Sequence, residues 1–309
     1  MNEDKIQSAN MTPRFTLRQL TYLVELADAG SFATAAARLH LSPSAMAVAV
    51  SELERMLGVQ LTVRRRAHGV TLTPAGRKIA DQAQRVLLEA DRLTELPGDG
   101  VQVRGTVHLG CYTTLAPSEL PDLLSEFDRR FPESTVQLIE AGQDRLTQLL
   151  LAGELDAAIM YNLGLDKGLR RIKLSRKEIH ILLPETHALA NRQELSIKEL
   201  ADEPMILLDL PPASENALAI CKAVGVTPKI RYRAMTLELT RALVGRGLGY
   251  ALLAQRAPGR LTGTGRAVAT LKLSDPAKPL DVVLVLSPLF SVSNATSAFI
   301  KVCREMSRT

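Results

Sequence analysis

The chain opens on helical periodicity. After Thr16, the segment "LRQLTYLVELADAG" places Leu20, Leu23, Val24 and Ala27 at intervals of three and four, the apolar stripe of an amphipathic helix. Thr16 and Gln19 form a capping-box pattern at its start, and Gly30 is a stop signal. Ser31 caps a short alanine-rich helix, "FATAAARLH", whose small side chains allow close approach. A tight connection at His40 and Leu41 leads to a third helix. Ser42 caps it, Pro43 takes its first position, where a missing N–H is harmless, and Gly58 follows its end. On this helix Met46, Val50, Leu53 and Leu57 share one face. The opposite face carries Ser44, Val48, Ser51, Glu52 and Arg55, and its first two turns are small and uncharged: Ser44, Ala45, Ala47 and Val48.

The pattern then changes to alternation. "LTVRRRAHGVTL" predicts a short hairpin turning around Ala67, His68 and Gly69. Thr73 and Pro74 open a long helix in which Ile79, Ala83, Val86, Ala90 and Leu93 repeat at heptad spacing. That spacing predicts a coiled-coil seam; the alternative is a helix packed on its own domain. The Gly-rich "PGDGVQVRG" ends this part. Beyond it strands alternate with helices: "TVHLGCY", "APSELPDLLSEFDRRFP", "TVQLIEA", "DRLTQLLLAGE" and "LDAAIMY", and later "IHILLP", "PMILLDL", "ENALAICKAVG", "PKIRYRA", "LELTRALVGRG", "YALLA", "DVVLVLS" and "ATSAFIKVCREMS". Repeated βαβ units predict α/β layers with mainly parallel sheets, and the stretch is long enough for two of them.

Composition adds little until the charge is located. The 309 residues carry a net charge of +5. Between Arg38 and Lys78, seven basic residues stand against two acidic ones, so this short stretch holds the whole excess. Such local basicity is the footprint of a phosphate-binding surface. The three cysteines, Cys111, Cys221 and Cys303, are far apart and lack C-x-x-C spacing, which argues against a disulfide scaffold or a zinc site and fits a reducing cytoplasm. Residues 1–15 are polar, with no apolar core of a signal peptide, and read as a disordered lead-in. No apolar run approaches the roughly 18 residues of a membrane helix.

Two short helices, a tight turn, a third capped helix and a basic hairpin make a helix-turn-helix with a wing. Helices that enter the major groove present their N-terminal residues to base edges. A small, uncharged outward face lets such a helix lie deep, and methyl groups meet the thymine methyl. A solitary exposed Val48 is equally common on ordinary surfaces. The order of the elements favours DNA. The stretch from Leu17 to Gly76 resembles the DNA-binding domain of the LysR-type transcriptional regulators through "LRQLTYLVELADAGSFATAAARLHLSPSAMAVAVSELERMLGVQL", Arg64 and "VTLTPAG". "LPDLLSEFDRRFP", "LLLAGELDAAIM" and "LVGRGLGYALL" resemble the family's effector domain. Two departures stand out. Ala47, Val48 and Ala49 occupy positions where the family often has polar base-reading side chains, and Leu61-Thr62 replaces its usual Leu-Phe.

The resemblance implies a multi-domain chain: an all-α winged helix-turn-helix at 16–73, a linker and dimerisation helix at 74–97, a hinge at 98–104, and an α/β effector domain at 105–309. The last would be two Rossmann-like subdomains as in periplasmic binding proteins, one at about 105–173 and 280–309, the other at about 174–279, joined by two crossing strands. The expected partner is double-stranded promoter DNA. Contacts are expected from Ser31, Ser42, Pro43, Ser44, Ala47, Val48, Ser51 and Arg55, with Arg64, Arg65 and Arg66 on phosphates or in the minor groove. Ile79, Ala83, Val86, Ala90 and Leu93 would join a homodimer, two of which make a tetramer, and an activator would also touch RNA polymerase. The subdomain cleft would bind a small effector, an organic anion, near helix starts: the hydroxyls of Thr113, Thr114, Ser214 and Thr236 and the amide of Gln143, which stands where the family commonly has Thr or Ser, are the candidates, against plain helix capping. No metal, no cofactor and no membrane partner is expected.

Three rivals are weaker. An enzyme is disfavoured because G-x-G-x-x-G, P-loop, G-x-S-x-G and H-E-x-x-H motifs are missing and the five histidines do not cluster. A cysteine-based redox sensor lacks neighbours that would lower a thiol pKa. A free solute-binding protein would not carry the first hundred residues.

Overall fold

The computed structural model describes residues 14–65, 69–93, 103–257, 259–288 and 292–307, which fall into two compact units divided between Leu96 and Pro97. In the first unit, α1 (Leu17–Ala29), α2 (Phe32–Arg38) and α3 (Pro43–Leu57) precede a hairpin of β1 (Thr62–Arg65) and β2 (Gly69–Leu72), then α4 (Pro74–Leu93). The local signals in the sequence set these boundaries. Thr16 and Gln19 form the full reciprocal capping box, and Ser31 and Ser42 each accept the backbone N–H three residues on. Gly30 and Gly58 end α1 and α3 at φ 66° and 67°, the left-handed region that glycine adopts freely. The expected hairpin turn lies at 66–68, outside the described residues.

The core of this unit is made by helix faces. Met46, Val50 and Leu53 of α3 are buried with Leu20, Leu23 and Leu26 of α1, and each such side chain stabilises the fold by roughly 1.5–3 kcal/mol. Ala35 and Ala36 are fully buried, which is the close approach their size permits. In α4, Ala80 and Ala83 are buried against α1 and α3, and Ile79 and Leu87 pack beside them. Two of the five seam positions, Ile79 and Ala83, therefore serve their own domain; Val86 remains 36% exposed.

The second unit holds β3 (Gly105–Tyr112), α5 (Ala116–Arg130), β4 (Ser134–Ala141), α6 (Gln143–Ala152), β5 (Ala157–Tyr161), β6 (Arg170–Lys177), β7 (His180–Pro184), β8 (Glu194–Leu195), β9 (Pro204–Leu208), α7 (Ala213–Ala223), β10 (Lys229–Ala234), α8 (Leu237–Gly245), β11 (Ala251–Leu253), β12 (Val268–Leu273), β13 (Leu280–Leu286) and α9 (Asn294–Met306). One subdomain is built on a five-stranded sheet of order β4-β3-β5-β13-β6. The other is built on a four-stranded sheet, β11-β7-β12-β8, with the pair β10-β9 beside it, linked by a Met205–Tyr250 bridge. The sheets are mixed, not mainly parallel as the βαβ pattern predicts. β3 pairs parallel with β4 and β5, but β13 runs antiparallel to both β5 and β6. The reason is topological: β6 leaves the first subdomain and β13 returns to it, so the two crossing strands enter its sheet in opposite senses. Asp281 of β13 holds this pair together through Lys173 Nζ at 2.7 Å and Arg176 Nε at 3.1 Å, both from β6.

Candidate nucleic-acid interface and effector cleft

On α3 the apolar stripe and the opposite face separate as the sequence predicts. Met46 and Leu53 are fully buried, whereas Pro43, Ser44, Ser51, Glu52 and Arg55 are exposed or half-buried on the far side and Val48 is 60% exposed. Ala47, Val48, Ser51, Glu52 and Arg55 line one open surface depression on this helix. Ser42 and Ser31 are occupied as caps: Ser42 Oγ accepts from Ala45 N at 3.2 Å, and Ser31 Oγ from Thr34 N at 3.1 Å. Each cap is worth about 1 kcal/mol, and each leaves its hydroxyl at a helix start facing solvent. The turn before α3 places His40 at φ 54°, which lets Leu41 N reach back to Ala36 O at 2.8 Å and fixes the angle between α2 and α3. Arg64 and Arg65 lie on β1; Arg66 lies outside the described residues.

Two residues that hold this surface escape sequence reasoning as functional groups. One carboxylate oxygen of Glu54 accepts from Leu61 N at 2.8 Å, Thr62 N at 2.9 Å and Thr62 Oγ1 at 3.0 Å, tying the wing's first strand to α3. Gly76 lets α4 press on the wing's start: a Cβ there would stand 2.1 Å from Leu61 O. The signal for both lies in their place at the end of "SELE" and "LTPAG", not in their chemistry.

In the second unit the strand ends converge between the subdomains. Thr114 follows β3, and its hydroxyl lies against those of Tyr112 and Tyr161. Tyr112 Oη donates to Leu210 O at 2.8 Å, so a residue of the first subdomain closes on the loop before α7. Gln255 makes a second tie: its amide donates to Tyr161 Oη at 3.0 Å and its carbonyl accepts from Ser118 Oγ at 3.0 Å. Burial pushes Tyr161 up to about 12, so it remains a neutral hydroxyl. Beside the Tyr161–Gln255 bond lies a cavity of about 20 Å³, room for one water. Its polar lining is Thr114, Tyr161, Asn216 and Gln255, with Ile179, Leu208, Ile220 and Leu252 among the apolar walls.

The expected effector residues divide. Thr114 lines the cavity and is buried; Thr113 is held at the neighbouring strand end by Thr113 N–H to Ala141 O at 3.3 Å. Gln143 begins α6 and is buried. Ser214 is buried in the first turn of α7 without capping it. Thr236 is exposed and caps α8, accepting from Leu239 N at 3.2 Å, the plain structural role. Capping also sorts the helices. Thr73 caps α4 through Gly76 N at 2.8 Å, and side chains cap α1, α2, α3, α8 and α9, whereas α5, α6 and α7 have no side-chain cap. Those three helices start at the ends of β3, β4 and β9, around the cleft. Sequence reasoning missed Tyr112, Tyr161, Asn216 and Gln255, because they meet only through contacts remote in the chain.

None of the three thiols is among the residues lining this cavity. Cys111, Cys221 and Cys303 are free and buried on β3, α7 and α9. Burial pushes all three up, Cys303 to about 12, and Glu140 and Glu119 add to the effect at Cys111. Among the described residues no His, Cys, Asp and Glu group is arranged to hold a metal ion, and no helix is long and apolar enough to cross a membrane.

Comparison with known proteins decides the family. Residues 17–77 match the bacterial regulatory helix-turn-helix protein of the lysR family, and residues 100–308 match the LysR substrate binding domain. The chain belongs to the LysR family. It is a DNA-binding transcriptional regulator with a C-terminal effector-binding domain, not an enzyme. The hydrogen peroxide-inducible genes activator of Pectobacterium carotovorum is 31% identical over 239 residues, covering 77% of this chain and 79% of that protein. The uncharacterized HTH-type transcriptional regulator YvbU of Bacillus subtilis strain 168 is 27% identical over 293 residues, 94% of this chain and 98% of that one. A full-length OxyR variant from Pseudomonas aeruginosa, with one cysteine replaced by aspartate, superposes with a TM-score of 0.71 at 26% identity, covering 94% of this chain and 98% of that one. LysR regulators are oligomeric, and in this chain the helix-turn-helix region and the substrate binding domain fall in separate units.

Proposed function

We propose that this regulator reads promoter DNA by laying the outward face of α3 in the major groove, and that a small organic anion in the effector cleft modulates it. The observation that carries the reading is the division of α3: a buried stripe on one side, and on the other an exposed face with no charged group before Glu52. Ser44, Ala47 and Val48 approach base edges, Ser42 and Pro43 set the helix end on the backbone, and Ser31 at the start of α2 meets a phosphate. Readout leans on methyl contacts and DNA shape, because polar base-reading groups are few. Arg64, Arg65 and Arg66 supply phosphate or minor-groove contacts, and Arg55 a phosphate contact further along α3. Copies associate through the outer edge of α4, where Val86 and Ala90 are not consumed by the domain's own core as Ile79 and Ala83 are. As a DNA-binding regulator it works in the cytoplasm.

The anion is supported by the helix starts around the cleft. The bare N–H groups of α5 and α6 and the positive ends of their dipoles favour negative charge. A ligand larger than one water separates the subdomains, exchanging the Tyr112–Leu210 and Gln255 bonds for its own, and so shifts between two arrangements it binds unequally. Sensing of peroxide through cysteine, which the relatives' names suggest, is disfavoured by thiols whose burial opposes the reactive thiolate. Footprinting on the DNA upstream of the chain's own gene, with and without small carboxylates, tests the whole reading. A protected site whose length changes with a carboxylate is the expected result.

A further inference from the structure

We infer that the cleft ligand carries a hydrogen-bond donor beside its anionic group and that the side-chain oxygen of Gln143 accepts it; the ligand is a small hydroxy- or aminocarboxylate. This rests on the carboxylate reading above and narrows it.

Gln143 is the first residue of α6 and only 6% exposed. Its Nε2 donates to Leu163 O at 2.5 Å. A backbone carbonyl only accepts, so this bond fixes which end of the amide is which. The other end, Oε1, is buried and has no partner among the described residues. A buried acceptor left unpaired opposes folding, and the bond to Leu163 uses only the other end of the amide.

The place of this acceptor points to the cleft. α6 has no side-chain cap, so bare N–H groups and the lone acceptor belong to one helix turn. Gly142, just before it, faces the loop ahead of α7: a Cβ on Gly142 would stand 3.9 Å from Leu210 Cδ1. Leu210 is also the residue that Tyr112 reaches from β3. The end of α6 thus lies in the mouth that the Tyr112 tie closes.

A plain carboxylate satisfies only the N–H groups, and its lone pairs repel the Gln143 oxygen. A carboxylate with a hydroxyl or ammonium group on the adjoining carbon satisfies both. Sites that hydrogen-bond a substrate hydroxyl reject the analogue lacking it more sharply than apolar pockets reject a missing methylene.

The test measures binding of matched pairs to the full chain by isothermal titration calorimetry: butyrate against 2-hydroxybutyrate and 2-aminobutyrate, and propionate against lactate. In the wild type, the donor-bearing member of at least one pair binds about 10-fold tighter or more. In Gln143→Leu that ratio falls to within about 2-fold of unity, whatever happens to the common affinity. Equal binding within every wild-type pair overturns the donor assignment and leaves the carboxylate site standing, and this comparison decides even if the variant does not fold. A ratio that survives in Gln143→Leu overturns the role of Gln143. Failure of both members of every pair to bind overturns this inference and the carboxylate reading together.

Discussion

The Tyr112 hydroxyl donates to the Leu210 carbonyl at 2.8 Å, joining one subdomain of the effector unit to the other across their cleft. Removing that hydroxyl removes one neutral hydrogen bond and exposes no charge. Tyr112→Phe is expected to lower the stability of the effector unit by about 1 kcal/mol, seen by calorimetry as a fall of about 2–4 °C in Tm. An unchanged Tm would mean that this tie does not hold the cleft shut.

The wing arginines predict a salt dependence. Each phosphate contact contributes about −0.9 to the slope of log K against log salt. Replacing Arg64, Arg65 and Arg66 with alanine flattens the slope by up to about 3 for every duplex, specific or not. Fluorescence anisotropy across a salt series reads it, and an unchanged slope removes these residues from the interface.

His180 predicts a pH dependence of stability. It is buried on β7, and burial, with Arg256 and Arg241 nearby, pushes its pKa down to about 4. Unfolding restores the ordinary value of about 6.5, so between those values the unfolded chain binds the extra proton. Stability is therefore full above about pH 6.5 and falls as pH drops towards 4, by up to about 3 kcal/mol. Carboxylates held low by neighbouring cations, such as Asp281 and Glu305, lose their contribution only at more acid pH. Urea titrations of wild type and His180→Leu between pH 4 and 7 separate the two, because the variant's profile should be flat where the wild type slopes.

Gly76 predicts a packing defect that leaves the surface untouched. A Cβ at 2.1 Å from a backbone oxygen forces the start of α4 away from Leu61. Gly76→Ala is expected to destabilise the DNA-binding unit by about 1–3 kcal/mol through overpacking, even though alanine favours helices. Stability equal to or above wild type in a denaturant melt would contradict the close approach.

The DNA-binding unit was legible residue by residue because its signals are local. Caps at Thr16, Ser31 and Ser42 and stops at Gly30 and Gly58 sit within a turn of what they control. The helix α4 was less so: heptad spacing cannot say whether Ala83 faces a partner or its own core, and here it belongs to the core of Leu20 and Leu53. In the effector unit the strands β6 and β12 went unread; "RRIKLSRK" alternates, but its charges resemble a surface loop. The direction of β13 depends on a return crossing that leaves no trace in the local pattern. Thr114, which follows a strand end, could be picked out from the sequence and lines the cavity; Gln255, which meets Tyr161 across 94 positions of sequence, could not.

The central claim is that the outward face of α3 lies in the major groove. Val48→Glu and Ala47→Glu place a carboxylate on that face, since Val48 is 60% exposed and Ala47, though half-buried, lies outside the buried core. With unchanged circular dichroism and Tm, each variant should lose at least about 100-fold in affinity for the footprinted duplex, because a negative charge is forced against bases and phosphates. Wild-type affinity in both folded variants would contradict the account.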